Sequence, residues 1–124
     1  MKRKTRQRIV LCDVFTMACR PLKPQEVVAL AQQSIPTLGI ATVYRAIKDL
    51  VAEGWLVPVG VAGSIRYELA TLGYHHHFYC QACDRTFDVP GCNDSPAKLA
   101  PEGFVVSSHE LTLNGTCSSC TGRG

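Results

Sequence analysis

Apolar residues recur at helical spacing three times in the first half of the chain, and the pattern then switches to alternation. Leu11, Val14, Phe15 and Ala18 lie at i, i+3, i+4 and i+7, which predicts a helix from about Thr5 to Ala18. Pro24 suits the first position of a second helix, because that position needs no amide hydrogen. This helix is predicted to run to about Gln33, with Val27, Leu30 and Ala31 facing inward. The segment Ser34–Gly39 then reads as a turn. A third helix is predicted over about Ala41–Glu53, with an apolar stripe of Ile40, Val43, Ile47, Leu50 and Val51 and a stop at Gly54.

Beyond Gly54 the period falls to two. Leu56–Val59 and Ile65–Leu69 read as strands, with Ile65, Tyr67 and Leu69 on one face and Arg66 and Glu68 on the other. Pro58 cannot donate to a ladder and places the first strand at an edge. Three short helices and a hairpin predict a winged helix-turn-helix over residues 1–70. A boundary falls near Thr71–Gly73, and a small α/β domain is expected over 74–124, making the fold class α+β. There His77–Cys80 and Arg85–Val89 look extended, Asn93–Leu99 suits one or two helical turns, and Phe104–Leu113 is the most strand-like stretch.

Composition adds limits. At 124 residues and 46% hydrophobic the chain can bury a core, and no run of about 18 apolar residues exists to span a membrane. The basic, then apolar opening imitates a secretory signal, but Asp13 interrupts the apolar part and no A-x-A site follows, so a cytoplasmic location is expected. Residues 1–66 hold ten Lys and Arg against four acids, whereas 67–124 hold three against six. The front is therefore net +6 and the back −3, and the back also carries all four histidines and five of the seven cysteines. That division suggests polyanion contact in front and metal chemistry behind.

The sharpest signal is Cys80-Gln-Ala-Cys83 paired with Cys117-Ser-Ser-Cys120. Two residues between cysteines let both thiolates of a tight turn face one ion. Two such knuckles close a tetrahedral four-sulfur site, which suits structural Zn(II) and leaves no open position for catalysis. Two disulfides are the competing reading, disfavoured by a reducing cytosol. Just before the first knuckle, an extended Tyr74-His75-His76-His77 would put His75 and His77 on one face. That pair can chelate a second, regulatory divalent metal, with Glu68 and Asp88 as carboxylate partners. His76, on the opposite face, could meet His109 in a further site, with Asp94 or Cys92 as third ligand. A non-specific histidine cluster and a hydrogen-bonded His109 are the plainer alternatives. Cys12 and Cys19 read as core thiols.

The third helix carries the nucleic-acid reading. With its apolar stripe buried, Thr42, Arg45 and Lys48 fall outward, with Tyr44 beside them. Such a helix in a major groove offers an Arg for guanine or phosphate and a ring for a thymine methyl. The basic arm Lys2, Arg3, Lys4, Arg6 and Arg8 would add phosphate contacts independent of sequence.

Gly39-Ile-Ala-Thr-Val-Tyr-Arg45, His75-His-His-Phe-Tyr-Cys80-Gln-Ala-Cys83 and His109…Gly115-Thr-Cys117-Ser-Ser-Cys120 together resemble the ferric-uptake-regulator (Fur) family over about residues 6–120. The resemblance implies a dimeric, metal-responsive transcription factor, usually a repressor. Its winged helix would bind pseudo-palindromic double-stranded DNA, and its C-terminal domain would dimerise and carry the metals. It implies DNA contact by Tyr44 and Arg45, structural zinc on the paired cysteines, a regulatory site at Glu68, His75, His77 and Asp88, and a further site using His76 and His109.

Departures from the family pattern are specific. Where iron-type members have a histidine before the second helix this chain has Pro21, and the zinc-type aspartate and cysteine of the wing align with Val57 and Leu69. Glu68 is then expected to couple the domains by itself, or with a substitute from elsewhere. The chain starts at the first winged-helix helix, so Lys2–Arg8 is expected to replace a DNA contact that an extra N-terminal helix supplies in many members. The donor types admit Zn(II), Fe(II) or Mn(II), and also a peroxide sensor. A metallohydrolase or a metal-storage module would use the same ligands, but would leave the third helix and the basic arm unexplained.

Overall fold

The computed structural model describes residues 2–72, 76–89, 99–107, 109 and 111–121, with side chains described from Arg6 onward and that of Leu72 excepted. The chain divides into two compact units, Met1–Gly73 and Tyr74–Gly124. Among the described residues, no helix is long and apolar enough to cross a membrane.

The first unit holds α1 (Lys2–Ala18), α2 (Pro24–Ala31), α3 (Ile40–Ala52), β1 (Leu56–Val61) and β2 (Ser64–Leu69), followed by a 3-10 turn at Ala70–Leu72. Its core is one cluster in which Leu11 and Phe15 of α1, Val27 and Ala31 of α2, and Val43, Ile47 and Leu50 of α3 converge with Leu22, Ile35, Leu38 and Leu56. The Phe15 ring stands edge-on to Trp55, with centroids 6.5 Å apart. Pro24 occupies the first turn of α2, and the Lys23 amide donates to Glu26 Oε1 at 3.1 Å. Gly54, at φ +80°, ends α3 in a left-handed conformation open to glycine at little cost. Two predicted core positions differ: Leu30 and Ile40 are exposed, because Val28 takes the inward place on α2 and Ile40 is the first residue of α3, beyond the reach of the core.

The hairpin is longer than predicted. Val61 pairs with Ser64 across a two-residue turn, Ala62-Gly63, with both residues at positive φ (51° and 78°). Such turns match the right-handed twist of the flanking strands. Tyr67 also pairs with Leu22, exchanging backbone hydrogen bonds of 2.8 and 2.9 Å. The alternation along β2 holds, but the polar face is the enclosed one: Arg66 and Glu68 are buried, while Ile65 is 58% exposed.

In the second unit β3 (His76–Cys80) is central, antiparallel to β4 (Thr86–Val89) and parallel to β5 (Thr112–Gly115). One further helical turn, α4 (Ser118–Thr121), lies in the last knuckle. Of the strand predicted over Phe104–Leu113, only the end at Thr112 and Leu113 is strand among the described residues. Residues 104–107 have no regular structure, with Phe104 71% and Val105 90% exposed, and ladder pairing with β3 is described from Thr112. Alternating apolar residues make a strand only where a neighbour pairs their backbone groups. The predicted helical turns at Asn93–Leu99 fall almost wholly outside the described residues.

Ile47 sits at the centre of the first unit's core. We expect Ile47→Ala to lower its unfolding free energy by about 2–5 kcal/mol, read from urea denaturation followed by Trp55 fluorescence.

Candidate metal centres and DNA-binding surface

Each knuckle is built by backbone geometry. Cys80 ends β3; its amide donates to the Arg85 carbonyl at 2.9 Å, and its carbonyl accepts from Asp84, which turns the chain at φ +61°. The Gln81 amide donates to the Gly115 carbonyl at 2.8 Å, tying this turn to the end of β5 just before Cys117. A β-carbon at Gly115 would stand 3.2 Å from Phe78 Cζ, so the approach of β5 favours a residue without one. The result brings Sγ of Cys80, Cys83, Cys117 and Cys120 within 4.8 Å of one another. Cys83 and Cys117 sulfurs are 3.8 Å apart, and all four thiols are free, so the cluster is not a pair of disulfides.

Electrostatics within the cluster are uneven. Backbone amides of Cys117 and Cys83 donate to Cys80 Sγ at 3.3 and 3.5 Å. The Cys117 amide does most to lower the Cys80 thiol to about 6. Cys120 is pushed up to about 12, first by its contact with Cys117. Four sulfurs with amide donors to the most buried one fit Zn(II).

On one face of the second sheet His77 lies directly across from Asp88, with Nε2 3.7 Å from Oδ1. On the other face His76 is buried, with Nε2 3.2 Å from Nε2 of His109 and ring centroids 5.3 Å apart. The period of two expected for the histidine run therefore separates His76 from His77, and each finds a ligand-type neighbour. Glu68 is buried near the end of β2 in the first unit. His75, Cys92 and Asp94, named from the sequence, lie outside the described residues.

The α3 face is as its pattern predicts. Tyr44, Arg45 and Lys48 are exposed, Thr42 is half-buried, and Arg45 Nη2 donates to Thr42 Oγ1 at 3.3 Å. A cleft of about 400 Å³ separates this face from the hairpin, with Tyr44, Arg45 and Lys48 on one side and Pro58, Ile65 and Tyr67 on the other. The wing side of that cleft was not legible in the sequence, where Ile65 and Tyr67 read only as one face of a strand.

The basic arm needs correction: it is no separate tail but the first turns of α1. Arg6 donates to the Ser34 carbonyl at 3.1 Å, and Arg8 grips Glu53 at 2.6 and 2.8 Å through both guanidinium nitrogens. Contact with Glu53 raises the Arg8 pKa. Because α1 packs on the core, Arg6 falls beside the α2–α3 turn and Arg8 beside the end of α3. The side chain of Arg3 lies outside the description. Cys12 is partly buried against the core, and burial raises its thiol. Cys19 is instead exposed, at φ +49°, with its thiol on the Thr16 carbonyl at 3.1 Å, because α1 ends at Ala18 and the chain turns away.

A helix-and-hairpin unit with an exposed basic third helix, followed by a small unit with a zinc-type sulfur cluster, an imidazole–carboxylate pair and an imidazole pair, fits a metal-responsive transcriptional regulator. The profile of the ferric uptake regulator family matches residues 2–114. The chain belongs to that family, whose members are transcriptional regulators and not enzymes. It is 30% identical over 119 residues to the ferric uptake regulation protein of Bordetella parapertussis, covering 91% of this chain and 85% of that one. It is 28% identical over 123 residues to the zinc uptake regulation protein of Mycobacterium tuberculosis, covering 95% and 94%. The fold matches that of a zinc-bound manganese uptake regulator with a TM-score of 0.75 at 21% identity, over 90% and 87% of the two chains.

Two outcomes are expected of the sulfur cluster. Cys83→Ala should release one zinc per chain and abolish the folded second unit, checked by elemental analysis and circular dichroism. Protons compete with metal for thiolate, so zinc should be held at neutral pH and progressively lost on acidification. A chromophoric chelator reports the release.

Proposed function

We propose that this chain is a metal-dependent transcriptional regulator, a repressor in its usual mode, that binds pseudo-palindromic double-stranded DNA as a homodimer in the cytoplasm. Residues 1–70 serve as the DNA-binding domain and 74–124 as the metal-binding and dimerisation domain. In this reading Cys80, Cys83, Cys117 and Cys120 hold structural zinc. Glu68, His75, His77 and Asp88 hold the regulatory divalent ion, and His76 with His109 forms an additional site open to Cys92 or Asp94. Thr42, Tyr44, Arg45 and Lys48 face the operator, with Arg3 and Arg6 supplying phosphate contacts once DNA competes for the Arg6 guanidinium.

The observation that carries the metal half is the His77–Asp88 pair, imidazole against carboxylate across two strands. Support for the homodimer comes from Leu99, Phe104, Val105, Leu111 and Leu113, all exposed apolar residues of the second unit. So many uncovered apolar side chains in a unit this small favour a partner surface. The names of the relatives span iron, zinc and manganese, and His with carboxylate ligands suits each of these.

A bound divalent cation supplies a cross-link among imidazole and carboxylate ligands. With Glu68 on the wing strand and His75, His77 and Asp88 in the other domain, ligation favours one arrangement of the two domains. Recognition helices of a dimer must meet half-sites about one helical turn apart. Metal acts only through its different affinity for the competent and incompetent arrangements, and tenfold tighter operator binding needs about 1.4 kcal/mol of coupling.

Operator binding by the zinc-replete protein, followed by fluorescence anisotropy on a duplex from its own upstream region, should tighten on titration with one of Zn(II), Fe(II) or Mn(II). His77→Ala should keep the fold and lose that response. An undiminished response in the mutant contradicts the site assignment.

A further inference from the structure

The segment between α1 and α2 is where the family resemblance expects a metal ligand, and here it holds a fully buried Pro21. What the segment carries instead is a set of ties to β2. Arg20 Nη2 donates to Glu26 Oε2 at 2.9 Å, and Arg66 Nη1 reaches Glu26 Oε1 at 3.4 Å. The same Oε1 accepts the Lys23 amide at the start of α2. Beside these contacts Leu22 and Tyr67 exchange two backbone hydrogen bonds. Arg66 is 0% exposed, the bulkiest fully buried side chain among the described residues.

A guanidinium taken fully out of water is costly, and an aliphatic residue would fill the same space more cheaply. Stability alone therefore does not account for a cation at this position. Its place in the strand does suggest a role. Arg66 and Glu68 are two apart on β2, on the same buried face. Through Glu26 the guanidinium ties that face to the first turn of α2, and α2 packs on α3.

We propose that Arg20, Glu26 and Arg66 form a transmission clamp. These are positioning residues that hold the Glu68 strand and the helix-turn-helix as one rigid body, so that a force applied at Glu68 is delivered to α3. The clamp does the work of the missing ligand before α2 without touching metal or DNA. This inference rests on the reading of Glu68 as a regulatory ligand.

The test uses full-length, zinc-replete protein and three variants. Arg66→Met combined with Glu26→Leu removes the fully buried cation together with its carboxylate, and leaves Arg20 its hydrogen bond to the Pro21 carbonyl. Glu26→Gln removes the charge but keeps an acceptor for the Lys23 amide. Thermal melts confirm folding, competition with a chromophoric chelator reads metal affinity, and anisotropy reads operator affinity with and without the metal that activates the wild type. The clamp requires metal affinity and metal-free operator affinity within about threefold of wild type, and a metal-induced tightening cut from about tenfold or more to below about threefold. Exchange of the Leu22 and Tyr67 amides should also quicken, a readout independent of metal. Arg66→Lys, which keeps the charge, should restore most of the response.

A folded variant with normal metal affinity and the full metal-induced tightening overturns the clamp while leaving the Glu68 reading intact. If the double variant does not fold, Glu26→Gln decides by the same ratio. A wild type whose operator affinity ignores metal overturns both.

Discussion

The second unit depends on its four sulfurs. The core cluster of the protein lies wholly in the first unit, between Leu11 and Leu56, and among the described residues of the second unit Cys80 is the one buried member of the apolar set. A unit of some 50 residues buries too little apolar surface to offset its chain entropy without a staple. Closing both knuckles on one ion supplies that staple, and it does so at the end of β3, beside the end of β5. His76 and His77 lie on β3, and Asp88 lies across from His77 on β4. The His76–His109 and His77–Asp88 pairs therefore inherit their geometry from a strand whose end is anchored in the cluster.

The first unit solves a different problem. It has an ample apolar core, yet it encloses the polar face of β2 and leaves Ile65 outside. Enclosure of Arg66 is tolerable because Glu26 reaches the guanidinium, and Glu26 is itself fixed by the start of α2. Charge at this strand ties it to the start of α2. The exposed side of the same strand, with Ile65 and Tyr67, is thereby free to line the cleft opposite Tyr44 and Arg45.

Much of this was legible in the chain. Period 3.6 and then period 2, with Pro24 and Gly54 at element ends, located the three helices and the hairpin to within a few residues. The Cys-x-x-Cys spacings identified the sulfur cluster, and alternation along β3 separated His76 from His77. Misreadings had a common cause, which is that a pattern names a face but not what covers it. Phe104–Leu113 alternates well enough for a strand, yet residues 104–107 have no regular structure and the described strand begins at Thr112. Leu30 and Ile40 match a helical stripe but lie where no core reaches, and Arg8 looked like a phosphate ligand until α1 placed it against Glu53.

The sequence by itself determined the kinds of element, the donor atoms and the family to which they belong, because periodicity, short ligand spacings and turn chemistry are local properties of consecutive residues. Only the tertiary structure decided which face of β2 is enclosed, which arginines are already engaged, and that Arg20, Glu26 and Arg66 meet. Glu26 and Arg66 lie 40 positions apart. Nothing in local spacing records such a separation, because contact between distant charges is settled by how the helices pack, after every local choice has been made.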